Sequence, residues 1–232
     1  MKSSEIVTHT EAAALGDVEV QSNMARRREL WDRWIEIVSV VLLSTATLAV
    51  AWGGYQAVRW SGVQSTRYGE AAAARIESTR QSSIGYQLFQ IDIATFTDFV
   101  NAYAEGNAEL ADFYQHRFRS DFVPAFDAWM ALDPLANPEL APSPLTMPEY
   151  KLPQFVEADR LSEEASKLFA EGKEANETGD RYVLTSVILA TVLFFVGISS
   201  RLDWLPAQVA LVVFGAVMLI AGLAQLSTFP VY

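Results

Sequence analysis

Apolar positions along the chain follow two patterns: long runs that charge hardly interrupts, and stripes recurring every three or four residues. Between Arg33 and Arg59 the only charge is Glu36, so residues 37–58 form a charge-free stretch of 22. A helix of that length crosses a bilayer core of about 30 Å. A second run, residues 182–200, holds 19 uncharged residues between Arg181 and Arg201. A third, residues 207–226, follows Trp204 and ends before Pro230, which stops a helix. The turn with Arg201, Asp203 and Pro206 is short enough to make the last two runs an antiparallel helical hairpin. The expected fold is therefore an all-α membrane protein with three transmembrane helices. Arg26, Arg27, Arg28 and Arg33, ahead of an apolar run containing Ala49, Val50 and Ala51, also suit a signal peptide. The run exceeds the usual signal core of about 7 to 15 residues, so an uncleaved anchor is expected.

Residues 59–181 carry the stripes. No proline occurs from Trp34 to Pro124, so span one is expected to continue unbroken into the segment beyond it, weakened by Gly53, Gly54, Gly62 and Gly69. Tyr86, Phe89, Ile93, Phe96, Val100 and Tyr103 recur at steps of three and four and predict a coiled-coil-like stalk core. Glu105, Gly106 and Asn107 should end this helix, with Asn107 capping the next, over about 108–122, which turns Leu110, Phe113, Tyr114 and Phe118 inward. A short helix from Pro124 carries Phe126, Trp129 and Met130. Six of the nine prolines fall between Pro134 and Pro153, predicting an extended loop over 133–153. From Gln154 the pattern is helical again, with Ala158, Leu161, Ala165, Leu168 and Ala175 inward and a weak point at Gly179. This gives a helical stalk with a small helical cap between spans one and two. Residues 1–24 show no period and read as a mobile tail, and residues 25–58 join a basic juxtamembrane segment to span one.

Charge sharpens this picture. The chain of 232 residues has 17 Lys+Arg against 28 Asp+Glu and no cysteine, which excludes disulfides, zinc-thiolate sites and cysteine nucleophiles. Residues 59–181 hold 11 basic and 20 acidic groups, a net of −9, so neither nucleic acid nor an anionic lipid surface is an expected partner of this region. Four arginines before span one place the amino terminus in the cytoplasm, and three crossings then put residues 59–181 and the carboxyl terminus outside it. The bilayer itself, and self-association or another membrane protein, are the partners expected.

Chemistry-bearing patterns are sparse. His9 and His116 lie on opposite expected sides of the membrane, so no two-histidine metal site forms within one protomer, and no cofactor or metal is expected. Around His116, the run with Tyr114, Arg117 and Arg119 is the candidate ligand or partner site, because arginine's fork suits planar oxyanions. The plainer alternative pairs these arginines with Glu109, Asp112 or Asp121 on nearby turns. Glu157, Asp159, Glu163 and Glu164 lack calcium-loop spacing and read as a solvated face. No nucleophile-elbow, zincin, P-loop or dinucleotide-binding string occurs in a usable context, so no catalytic residue is assigned. Glu36 is the ion-path candidate, although half a turn from Trp34 it can reach interfacial water or pair with Arg33. Ala49 and Gly53, Ser186 and Ala190, and Gly215 and Gly222 are the small residues expected at helix contacts, with Gln208 and Gln225 near the ends of span three.

The strings WGGYQAVRWSGVQSTRY, FYQHRFRSDFVPAFDAWMALDPL, SPLTMPEY and GDRYVLTSVILATVLFF resemble a group of bacterial three-span membrane proteins with a helical extracytoplasmic insert and no assigned activity. The resemblance implies a bacterial cytoplasmic membrane location and this same insert, and it carries no catalytic residue. The leading functional expectation is a non-enzymatic membrane protein that forms a homo-oligomer, or serves as an accessory subunit of a membrane complex, through its stalk and cap. An oligomeric ion channel lined by span one is the alternative. An enzyme or anion-binding sensor at His116, Arg117 and Arg119 is a lesser one.

Overall fold

In the computed structural model of the chain, the described residues are Arg26 and 30–232, apart from 135, 138, 140, 141 and 203. The expectation of a mobile tail over 1–24 lies outside them. The elements are α1 (Ser3–Ala104), α2 (Ala108–Gln115), α3 (Val123–Met130), a 3-10 turn (Pro144–Thr146), α4 (Pro153–Ser199) and α5 (Leu205–Thr228). Among the described residues, three helices are long and apolar enough to cross a membrane: the Leu30–Ala104 part of α1, α4 and α5. The chain divides into two compact units, one of Met1–Gln64 with Glu174–Tyr232, the other of Ser65–Lys173.

The first unit packs segments of α1, α4 and α5 around Ala46, Ala49, Tyr182, Leu189, Val192, Val196, Leu219 and Leu226. Its helices meet where one carries a small residue. A methyl added to Gly53 would strike Ser186 Oγ. One on Gly215 would lie 2.6 Å from Val196 Cγ2, and one on Gly222 would lie 2.5 Å from Leu189 Cδ2. Leu189 opposite Gly222 and Val196 opposite Gly215 make α4 and α5 antiparallel, each step of seven along one matched by seven back along the other. Tyr182 and Phe229, another seven residues on, stack edge-on at 5.1 Å. Ala190, expected at a contact, instead points outward, because a residue one place after the inward Leu189 is turned about 100° from it. Gly179 is no weak point: α4 runs through it, and its bare Cα lets Ala57 O and Trp60 approach, within 3.7 Å of where a Cβ would stand.

In this unit the residues after α5 are tied back to the helices. Pro230 O accepts from Trp60 Nε1 at 3.1 Å and from the Tyr182 hydroxyl at 3.2 Å. Gln56 Oε1, wholly buried, accepts from the backbone N–H of Tyr232 at 3.1 Å, and the Arg59 guanidinium lies 4.3 Å over the Tyr232 ring.

The second unit pairs α1 with the start of α4 and closes on α2, α3 and the proline-rich segment. Buried α1 positions here are Ala71, Ser78, Gly85, Asp92 and Phe99, seven residues apart, with Ala102 one turn beyond the last. The expected stripe therefore lies one residue out of phase: Tyr86, Val100 and Tyr103 are exposed, while Phe89, Ile93 and Phe96 are half-buried on its flank. The reason is the partner's bulk. A methyl on Gly85 would sit 2.7 Å from the Phe155 ring, one on Gly172 2.6 Å from the Tyr68 ring, and Ser78 Oγ donates to Ala158 O at 2.7 Å. Close approach of α1 and α4 demands small residues on the seam and sends the large ones to its edges. On α4 the expected positions hold, with Ala158, Leu161, Ala165 and Ala175 buried and Leu168 half-buried.

At the far end of α1, Gly106 takes φ +72° and Asn107 Oδ1 accepts from the N–H of Leu110 at 3.1 Å, so helix exit and cap follow the expected chemistry. The second helix stops at Gln115 rather than near residue 122. Short-range turns, with Arg117 N–H donating to Tyr114 O and Phe122 N–H to Arg119 O, replace it. That coiling brings Phe118 and Phe122 together at 5.0 Å, inside a cluster with Phe99, Ala102, Ala111, Phe126 and Trp129. Phe113, expected inward, is exposed, as is Met130 on α3. Within the proline-rich segment, Pro144 is buried and opens the 3-10 turn.

Candidate functional site

Asp92 occupies a seam position where its neighbours seven residues away are Gly85 and Phe99, and it is fully buried. An isolated carboxylate there would cost several kcal/mol, so the fold must bring partners. Two arrive from distant segments. Arg119, on the turn between α2 and α3, donates from Nη1 to Asp92 Oδ2 at 2.9 Å, and the Tyr150 hydroxyl, just ahead of α4, donates to the same oxygen at 2.9 Å. Arg119 also reaches Asp121 Oδ2 through Nη2 at 2.6 Å. Aromatic rings enclose the group, Tyr150 lying 5.9 Å from Phe122 and 6.1 Å from Phe89. Asp92 Oδ1 is buried without a hydrogen-bond partner.

The electrostatics follow from this geometry. Burial pushes the Asp92 carboxyl above its ordinary value, against the opposing pull of the Tyr150 hydrogen bond and the Arg119 charge. Burial and the bond to Asp92 push the Tyr150 hydroxyl well up, so it remains a donor. Arginine cannot release its proton. Arg119 and Tyr150 thus both stay donors to Asp92 Oδ2, which suits a cross-link between α1, the α2–α3 turn and the proline-rich segment.

The four residues expected to form one ligand site part company. Tyr114 packs half-buried against the aromatic cluster. His116 is exposed, with Nδ1 2.8 Å from Asp112 O and 3.4 Å from Asp112 Oδ2. Arg117 lies over its own helix, its guanidinium 3.3 Å from the Phe113 ring centre and Nη1 donating to Phe113 O. Arg119 turns inward to Asp92. The expected alternative, these arginines pairing with local acids, is met by Arg119 with Asp121, whereas Arg117 lies on Phe113. Asp92 and Tyr150 were missed. The available signal was an acid seven residues from Gly85 and from Phe99; nothing local marks Arg119, 27 residues on, as its partner.

Glu36 lies elsewhere, in the first unit, lining a recess of about 390 Å³ with Asp32, Ile35, Ser39, Val40, Leu43, Val196, Ser200 and Gln208. Among the described residues no group of three or more His, Cys, Asp or Glu stands ready to hold a metal ion. Comparison with family models, with curated proteins and with solved structures finds no match.

Proposed function

We propose that this is a non-enzymatic integral protein of a bacterial cytoplasmic membrane, which associates with copies of itself or joins another membrane protein as an accessory subunit, using the unit between its spans. The observation that carries this reading is the division of surfaces in that unit. Arg119 and Tyr150 are consumed internally by Asp92, whereas Val100, Tyr103 and Met130 remain exposed around a shallow groove of about 120 Å³ that also touches Phe99 and Trp129. Exposed apolar and aromatic groups of this kind are typical of association surfaces. Orientation follows from Arg26, Arg27, Arg28 and Arg33, which favour a cytoplasmic amino terminus and hence an extracytoplasmic unit.

The test is the mass of the intact particle in a mild detergent, for wild type and for Tyr103→Glu with Met130→Glu. Association predicts a multiple of 25.7 kDa, or a complex with a second chain, that the double variant reduces to the protomer. A wild-type protomer mass, unchanged in native nanodiscs, overturns it. Since the chain has no cysteine, single cysteines at Ser143 and Ser200 report orientation: Ser143 should label from outside intact cells and Ser200 only after permeabilisation. The channel reading draws its support from Glu36, which opens onto the recess of the first unit. It predicts cation-selective current that falls in Glu36→Gln.

A further inference from the structure

The recess lined by Glu36 has a chemistry of its own. Asp32 and Glu36 are one helical turn apart on α1, so their Cβ atoms stand about 5–6 Å apart on the same face and both line the recess. Ser39, the next lining residue on that face, is only 7% exposed, and its Oγ has no hydrogen-bond partner. Ser186 Oγ, packed against Gly53, shares this condition, but most hydroxyls of the unit do not. Thr47 donates to Leu43 O at 2.7 Å, Ser199 to Val196 O at 2.7 Å and Ser200 to Gly197 O at 2.8 Å, the usual way a helical hydroxyl is satisfied. A buried hydroxyl left unmade costs about 1–3 kcal/mol, and Ser39 faces a polar recess where a ligand can supply the bond.

Two further polar residues of the lining are partly engaged. Ser200 gives its proton to Gly197 O, and Gln208 Nε2 donates one of its two N–H groups to Leu202 O at 2.5 Å, so the hydroxyl oxygen of Ser200 and the amide oxygen of Gln208 keep acceptor capacity. Carboxylates and hydroxyl oxygens around one space call for a ligand rich in N–H donors and positively charged. The other walls, Val40, Leu43 and Val196, are aliphatic. A bare metal ion matches neither the volume nor the donor set. A quaternary ammonium is better served by aromatic rings, and the lining residues include none. We propose that this recess binds a primary ammonium group bearing an apolar tail, with Glu36 and Asp32 holding the charge, Ser39 accepting one N–H and the aliphatic wall taking the tail. The proposal is independent of the association reading.

The chemistry is shared by a free alkylamine and by a lipid with an ethanolamine headgroup, and the experiment separates the two. The full chain in an uncharged detergent is titrated calorimetrically with hexylammonium, with hexanol as neutral isostere and with hexyltrimethylammonium. Saturable binding of hexylammonium alone is expected, weakened at least about tenfold in Glu36→Gln, the loss of one charge-assisted hydrogen bond. Ser39→Ala should weaken it less, and Glu36→Asp should recover part of the affinity. Native mass spectra from nanodiscs of phosphatidylethanolamine or phosphatidylcholine identify the source. Retention of the former lipid by wild type, lost in Glu36→Gln, points to the headgroup; retention of neither, with hexylammonium still bound, points to a soluble amine. Equal binding of hexanol, or undiminished binding by a folded Glu36→Gln with Asp32→Asn, overturns the proposal.

Discussion

In the unit of Met1–Gln64 and Glu174–Tyr232, helices meet at Gly53, Gly215 and Gly222, each against a small or aliphatic side chain. In the unit of Ser65–Lys173, the corresponding glycines, Gly85 and Gly172, each admit an aromatic ring, and the seam ends in a buried carboxylate among phenylalanines. Both units use the same step of seven residues. The difference lies in what competes for the side chains. Helices long and apolar enough to cross a membrane gain little by exchanging lipid for one another's aliphatic groups, so close packing at small residues holds them together. In water, burying rings is itself the driving force, and a carboxylate can be afforded if its partners arrive with it.

The strongest way to break this comparison is to remove one partner of the buried carboxylate. Arg119→Ala leaves Asp92 with Tyr150 alone and should cost about 3–5 kcal/mol, as losing one member of a buried pair does. The loss should be confined to the second unit: hydrogen exchange should rise across α2 and α3 while the spans stay protected. Wild-type exchange at α2 and α3 would show that Asp92 and Arg119 are ornaments of a cap held by its rings.

Next in size are the close contacts of the first unit. Gly222→Val forces Leu189 aside and Gly53→Val displaces Ser186, each at about 1–3 kcal/mol. Gly54→Val, one residue along and facing open space, is the control and should leave helix association unchanged. Thermal unfolding in detergent distinguishes them, and equal effects at Gly53 and Gly54 would remove the small-residue account.

These contrasts also explain what was legible beforehand. The three spans were, because a run of 19 or 22 residues without charge has one stable home. So were Gly53 with Ser186, Gly215 and Gly222, since small residues at helical steps have few other uses in a span. The stalk seam lies one residue from the stripe of large side chains, because size is a poor mark of burial where two helices pack closely. There small residues are buried at steps of seven, Gly85 admitting Phe155 and Ser78 meeting Ala158. The site around Asp92 was illegible for a different reason. Its members are 27 and 58 residues apart in the chain, and only folding of α2, α3 and the proline-rich segment brings them together.

A smaller effect sharpens the contrast between buried and exposed acids in the second unit. Burial raises Asp92, so its protonated form is favoured more in the folded chain than in the open one. Its contribution to stability is full below the ordinary carboxylate value of about 3.9 and is lost as pH rises through the raised value. Glu77 behaves oppositely. Hydrogen bonds from Arg80 and Gln81 hold it at about 2, so its contribution is present above the ordinary range and is lost as pH falls toward that value, although contact with solvent keeps it slight. Asp92→Asn should therefore flatten the decline in the unfolding midpoint of this unit as pH rises above the ordinary carboxylate range. Parallel curves for variant and wild type would place the titrating group elsewhere.

The smallest effect concerns the glycines of the second unit that face nothing. A Cβ on Gly69 meets no atom within 4 Å, in the middle of α1. Gly69→Ala adds no clash and removes backbone freedom from the unfolded chain, so it should stabilise by about 0.5–1 kcal/mol. Gly172→Ala, at the same unit's seam, places its methyl 2.6 Å from the Tyr68 ring, which is itself stacked on Phe169 at 5.1 Å and has little room to yield. It should destabilise despite alanine's better helix propensity. Opposite signs for these two substitutions, read as midpoint shifts in the same buffer, are what a ring-filled seam requires. A gain at both positions would mean that Tyr68 can leave the seam freely, and that this part of α1 and α4 is held together by something other than the packing of rings on glycine.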